Sequence, residues 1–165
     1  MGYDVTRVLD SDKTSVVYTI NNRSKKPHLT IQSTSTNATI GTFVFHSLTS
    51  RIDATVHDYS FSMTSHGLFK LDYSYDSPAF GGMKMTWKPR KKTDELNMVL
   101  LDDQAMPVAR FEPSNWALKK NGKMELLGPS LKNEKVMDEV VATGLAVIHY
   151  RQMQRLVTAT VVATS

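Results

Sequence analysis

The chain has 165 residues, a formal net charge of +4 and 41% hydrophobic residues, which is typical of one globular domain rather than a disordered segment. It contains no cysteine, and this excludes disulfides, thiolate zinc sites and a cysteine nucleophile. The mild excess of Lys and Arg permits an anionic partner without requiring one.

The N-terminal residues do not resemble a targeting segment. Charged side chains interrupt residues 1–20, so we expect no signal peptide there. The longest weakly charged apolar run, residues 140–150, is far shorter than the roughly 20 residues that a membrane-spanning helix needs. Together with the absence of cysteine, this predicts a cytoplasmic protein that is soluble or peripheral to membranes.

Alternation of apolar and polar residues with a period of two dominates roughly the first 130 residues and predicts about nine to eleven short strands. The segments concerned are 16–20, 28–32, 38–47, 52–63, 68–75, 83–88, 96–101, 108–111, 116–118 and 124–127. The alternation changes phase near His57, which indicates a bulge or tight turn, and Gly41 indicates a second bulge. Because no crossover helix separates these strands, an antiparallel sandwich or barrel is favoured over a parallel sheet.

The period then changes to that of a helix. Residues 134–156 place apolar side chains around most of the circumference, which is typical of a buried helix. Asn133 is the predicted N-cap. Gly144 is unfavourable in the middle of a helix, so we expect it to permit the close approach of a strand. Residues 157–165 are rich in Thr, Val and Ala and are interpreted as one more strand or a frayed tail.

The helical segment MDEVVATGLAV (137–147) and the early strand VYTI (17–20) carry a family resemblance. Many short strands followed by one apolar helix resemble the tubby C-terminal-like superfamily, which includes tubby, the LURP-one-related proteins and the phospholipid scramblases. The likeness is sharpest to small fungal proteins of unknown function in that superfamily. The chain is much shorter than tubby and lacks the Cys-rich or Pro-rich N-terminal segment of the scramblases, so their activities are not transferred to it.

The resemblance implies a mainly β (α+β) fold in one domain over residues 1–165. In that fold a closed antiparallel β-barrel of about 9–12 short strands surrounds a central apolar helix near the C-terminus. A barrel filled by its own helix leaves no large internal cavity, so we expect ligands to bind at the outer surface or the rim.

A basic run interleaved with Met85 and Trp87 is the strongest candidate binding site. Its residues are Lys84, Lys88, Arg90, Lys91 and Lys92. Lys88 and Arg90 are two positions apart and point to one side of an extended chain. Tubby binds phosphoinositide head groups through a similar Lys-x-Arg pair, which implies an anion site here. The alternative interpretation is a solvated basic loop around Pro89.

Other constellations are weaker. Residues 10–14 (DSDKT) match the D-x-D-x-T phosphatase pattern, and 100–103 (LLDD) mimics its acidic pair, but the parallel-sheet context that such enzymes need is not predicted. The five histidines form no H-x-H or H-E-x-x-H pair. Tyr73, Tyr75 and Trp87 could stack on bases, yet no nucleic-acid-binding signature accompanies them, so a nucleic-acid partner is disfavoured.

These observations predict a non-enzymatic binding module that recognises anionic phospholipid head groups through a basic patch. The alternative is a protein-interaction or structural protein, including a homo-oligomer, without a lipid ligand. An enzyme with a rim site is the least favoured alternative, since no catalytic residue, metal site or cofactor is indicated.

Overall fold

A computed structural model describes residues 4–9, 12, 15–66, 71–113, 122–131 and 133–164, with the backbone alone described for 4–7, 129 and 156–164. Eleven strands precede one long helix in this part of the chain. The strands are β1 (Asp4–Leu9), β2 (Val16–Asn22), β3 (Leu29–Ser33), β4 (Thr39–His46), β5 (Arg51–Val56), β6 (Tyr59–Ser65), β7 (Tyr73–Ser77), β8 (Met83–Lys91), β9 (Asp94–Leu101), β10 (Pro107–Pro113) and β11 (Gly122–Leu126). A short 3-10 helix (Gly128–Leu131) leads into α1 (Glu134–Thr164).

The strands form one antiparallel sheet whose spatial order is the chain order, β1 to β11. The predicted closed barrel is therefore wrong, because β1 and β11 stand at the two ends of the strand order in the part of the chain that the structure describes. Alternation within a strand determines which side chains share a face, but closure depends on whether the first and last strands meet. The predicted strand at 116–118 lies outside the described residues.

The chain divides into two compact units, Met1–Met63 and Thr64–Ser165, and the single-domain organisation stays a prediction. In the first unit, cross-strand apolar pairs form the buried face, such as Leu29 opposite Phe43 and Phe45 opposite Ile52. The tight turn predicted near His57 is confirmed, since that residue has a φ of 51° between β5 and β6. The ladder from β3 to β4 skips one residue beside Gly41, where a bulge was predicted.

The second unit contains β7 to β11 and α1. Trp87 lies opposite Leu100, and Leu100 lies opposite Ala109, so one buried row crosses β8, β9 and β10. The middle of the helix is buried around its circumference: the four consecutive residues from Val140 to Thr143 are all shielded from solvent. The prediction of a buried helix is thus confirmed. Among the described residues, no helix has both the length and the hydropathy that a membrane span requires.

The two ends of α1 differ in how well the sequence predicted them. The Asn133 side-chain oxygen accepts a hydrogen bond from the Val136 amide at 3.0 Å, which confirms the N-cap. The C-terminal prediction was wrong, because the helix continues to Thr164 where a strand or a tail was expected. The helix continues because no Gly or Pro follows Gly144 to end it, and because adding residues to an existing helix is far easier than nucleating one.

Candidate functional site

Alternation along strand β8 places three cations of the predicted basic run on one face of the sheet and the interleaved apolar side chains on the other. Lys84, Lys88 and Arg90 share one face, while Met85 and Trp87 occupy the opposite face and are fully buried. This follows from the period of two along a strand. Lys84, Lys88 and Arg90 therefore belong to a strand rather than to the solvated loop of the alternative interpretation.

Lys91 and Lys92 lie apart from this face, at the turn between β8 and β9. The ladder shifts register between Pro89 and Lys91, and Lys91 lies opposite Asp94. Lys92 is exposed in the turn itself. The structure thus brings together three of the five predicted cations on one strand face and leaves the other two at the end of the hairpin.

Two further cations, which lie outside the predicted basic run, share the face of Lys88 and Arg90. Lys88 lies opposite Val99, and Val99 lies opposite Arg110 in the next strand. Residues directly opposite in an antiparallel ladder point to the same side of the sheet. Arg110 therefore flanks Val99 on the side away from Lys88.

The second added cation is Lys123 of β11. The Arg90 guanidinium donates a hydrogen bond to the Glu112 carboxylate at 2.9 Å, and Glu112 lies opposite Lys123. We define the outer basic face as the cations that these ladders place on one side of β8, β10 and β11. Its members are Lys84, Lys88, Arg90, Arg110 and Lys123.

Carboxylates are interspersed on the outer basic face. Asp76 lies opposite Lys84 and Glu125 lies opposite Arg110, in addition to the Glu112 partner of Arg90. The Glu112 side chain is 58% exposed and the Arg90 side chain 38% exposed. Ion pairs this exposed contribute only about 0.2–1 kcal/mol, so an incoming anion can compete for the cations.

The opposite face of β8 is held against α1 by a buried polar network. The Thr143 hydroxyl accepts hydrogen bonds from the Trp87 indole at 3.1 Å and the Tyr75 phenol at 3.3 Å, and donates to the Glu139 carbonyl at 2.8 Å. The Glu139 carboxylate accepts from the Ser77 hydroxyl and the Ala79 amide. This network orients β7 and β8, and so directs the cations of β8 outward.

Burial also makes the aromatic residues that were considered for base stacking inaccessible to a ligand. Tyr73, Tyr75 and Trp87 are at most 3% exposed, so a nucleic acid cannot stack on them. Burial raises the pKa of Tyr73 to about 12 and raises that of Tyr75 further. The Arg151 guanidinium lies 5.4 Å from the centre of the Tyr73 ring, and burial lowers its pKa.

The family model of DUF6593, described as a family of unknown function, matches residues 3–153 and so covers most of the chain. The chain belongs to DUF6593. Comparisons with curated proteins and with solved structures gave no match. Membership in DUF6593 assigns no activity or ligand, and the resemblance to the tubby C-terminal-like superfamily stays a prediction.

A second polar cluster of this DUF6593 protein lies in the first unit. The Asp53 carboxylate accepts hydrogen bonds from His46 at 2.7 Å and Ser62 at 2.8 Å, and pairs with Arg51 at 3.0 Å. Burial alone would raise the pKa of Asp53, but the bonds from Ser62 and His46 and the charge of Arg51 outweigh it and lower the pKa. Ser62 bonds to Asp53 rather than to His46, so the cluster is not a nucleophile–base pair.

The remaining motifs of this DUF6593 protein have structural roles or lie outside the described residues. Asp102 of the mimicked acidic pair accepts hydrogen bonds from the amides of Gln104 and Met106, and so stabilises the turn after β9. Residues 10, 11, 13 and 14 of the phosphatase-like motif lie outside the described residues. Among the described side chains, no three His, Asp or Glu residues come close enough to hold a metal ion.

Proposed function

We propose that this DUF6593 protein is a non-enzymatic binding module that recognises anionic phospholipid head groups at the outer basic face. One observation supports the proposal: the ladders of β8 to β11 place Lys88, Arg90, Arg110 and Lys123 on the same face as the exposed carboxylate of Glu112, which pairs with Arg90. Cytoplasmic localisation and peripheral contact with a membrane belong to the same proposal.

Convergence of cations is what such a ligand requires. A single exposed Lys or Arg contributes about 1 kcal/mol near an anionic membrane surface, so affinity depends on several acting together. Arginine also matches phosphate oxygens with two parallel N–H donors. Arg90 and Arg110 of the outer basic face provide two such forks.

Glu112 lowers the affinity of the outer basic face for an anion by competing for Arg90. Its carboxylate holds Arg90 in place when no ligand is bound, and a head-group phosphate would replace it as the acceptor. Because the exchanged ion pair is exposed, breaking it costs at most about 1 kcal/mol. Lys91 and Lys92, at the exposed end of the β8–β9 hairpin, supply additional charge toward a membrane surface.

Vesicle co-sedimentation tests the proposal, with phosphatidylcholine vesicles prepared with and without a phosphoinositide. Lys88→Ala/Arg90→Ala removes two cations and should weaken binding by roughly 2 kcal/mol, or about 30-fold. Lys25→Ala/Lys26→Ala removes the same charge from an exposed turn of the first unit and should leave binding nearly unchanged. Equal binding by both variants would refute the site assignment.

Glu112→Gln provides a test in the opposite direction. It removes the internal competitor for Arg90 and should strengthen binding to phosphoinositide vesicles several-fold, with no binding to phosphatidylcholine alone. Weaker binding by this variant would mean that Glu112 positions Arg90 instead of competing with the ligand.

A further inference from the structure

Strand β11 ends the sheet, and the structure gives it a partner on one edge alone. Within the described residues, Gly122–Leu126 pairs with β10 and with no strand beyond it. The amide and carbonyl groups of alternate residues therefore point away from the sheet. Such an edge is a template for another strand unless the sequence blocks it, and β11 contains no proline.

The side chains of β11 carry opposite charges at neighbouring positions on one face. Lys123 and Glu125 are both exposed and lie two residues apart, on either side of Met124. Consider two copies of β11 running antiparallel about a two-fold axis through Met124. Lys123 of each copy then lies opposite Glu125 of the other, at the cross-strand separation where opposite charges attract.

We infer that β11 pairs antiparallel with β11 of a second copy of this chain, in the register centred on Met124. The sheets of the two copies then join edge to edge in a closed two-fold dimer. The inference is independent of the proposed lipid binding, because it depends on the edge of the sheet and on charge complementarity along it.

Other registers lack this complementarity. Sliding the pair by two residues in one direction places the Lys123 residues of the two copies opposite each other, and sliding it in the other direction does the same for the Glu125 residues. Like charges directly opposite each other are unfavourable. A parallel pair of β11 strands in register places Lys123 opposite Lys123 and also Glu125 opposite Glu125. A slip of one residue places side chains of opposite faces against each other. The charges of Lys123 and Glu125 therefore select one register and one partner.

The inner side of β11 is already occupied and does not need to rearrange. A β-carbon on Gly144 would lie 2.7 Å from the Met124 Cε, so the Met124 side chain packs against α1 of its own copy. Lys123 and Glu125 project from the opposite face. Strand addition can therefore proceed without removing Met124 from the core.

Charge reversal with rescue tests the inference, using sedimentation velocity across a range of protein concentrations. The wild-type chain should sediment at twice the 18.5-kDa monomer mass. Lys123→Glu alone and Glu125→Lys alone each create like-charge pairs and should weaken association on the order of tenfold. An equimolar mixture of the two variants restores both attractive pairs and should recover the dimer.

Engineered cysteines report the register directly, because the chain has no cysteine of its own. Lys123→Cys mixed with Glu125→Cys should form an intermolecular disulfide under mild oxidation, whereas each variant alone should not. A disulfide in Lys123→Cys alone would overturn the Met124-centred register. A wild-type chain that stays monomeric, or that grows past a dimer, would overturn the two-fold pairing.

Vesicle binding distinguishes this inference from the proposed function. Glu125→Lys adds a cation to the outer face while disrupting the dimer, so it should keep or increase phosphoinositide binding as the mass falls to that of a monomer. Circular dichroism of each variant should match the wild type, since both substituted side chains are exposed.

Discussion

Gly144 is the position where the close contact between α1 and the sheet can be measured. A β-carbon there would lie 2.7 Å from the Met124 Cε, 2.8 Å from the Trp87 Cζ2 and 3.0 Å from the Trp87 Cη2. Carbon atoms prefer separations of about 3.5–4.0 Å. The methionine end can move aside, but the fully buried Trp87 ring cannot do so freely. In Gly144→Ala, the stabilising gain in helix propensity is therefore opposed by the destabilising overpacking against Trp87.

The magnitude follows from the two opposing effects. Replacing a mid-helix Gly by Ala contributes about 1 kcal/mol in favour of folding. Relieving the contact requires a shift of roughly 0.7 Å, which would stretch the 3.1 Å Trp87–Thr143 hydrogen bond beyond bonding distance. Overpacking and a lost buried hydrogen bond together cost roughly 2–3 kcal/mol. We expect Gly144→Ala to lower the free energy of unfolding by about 1–2 kcal/mol.

Urea unfolding measures this change, and a loss of about 1.5 kcal/mol corresponds to a melting temperature lower by about 3–6 °C for a chain of this size. The matched background is Trp87→Phe, which removes the second ring. In that background Gly144→Ala should be neutral or stabilising, since helix propensity alone remains. Stabilisation by Gly144→Ala in the wild-type background would refute the close contact.

Two further predictions concern hydrogen bonds. Thr143→Val removes the acceptor of the Trp87 and Tyr75 donors and should lower the free energy of unfolding in urea by about 2–4 kcal/mol. Thr143→Ser keeps the hydroxyl and should lower the free energy of unfolding much less. Equal losses in the two variants would contradict the role of the hydroxyl. The His28 imidazole accepts a hydrogen bond from the Phe45 amide at 2.9 Å, and burial, followed by nearby positive charge, lowers its pKa below the ordinary value of 6.5. The folded state then binds fewer protons than the unfolded state, so the free energy of unfolding should be level above pH 6.5 and fall as the pH drops through the lower folded-state pKa. Urea titrations between pH 5 and 8 should show a smaller slope for His28→Gln than for the wild type, and equal slopes would refute the assignment.

Local regularities of the sequence predicted the elements of this fold well. The period of two in β8 correctly placed Trp87 and Met85 on the face opposite Lys88. The N-cap at Asn133 and the close approach at Gly144 are confirmed as well. Strand alternation and helix capping depend on residues within a few positions of one another, which is the range over which side-chain direction and capping are determined. The close approach at Gly144 instead involves Trp87 and Met124, which are distant in the chain.

Long-range pairing was decided by the tertiary structure. The strand order shows an open sheet where a closed barrel was predicted, and the ladders add Arg110 and Lys123 to the face of Lys88 and Arg90. A period of two assigns each side chain to a face of its own strand, but it carries no information about which residue of a distant strand lies opposite. The sequence therefore determined which side chains could face outward, and the register between strands determined which of them became neighbours.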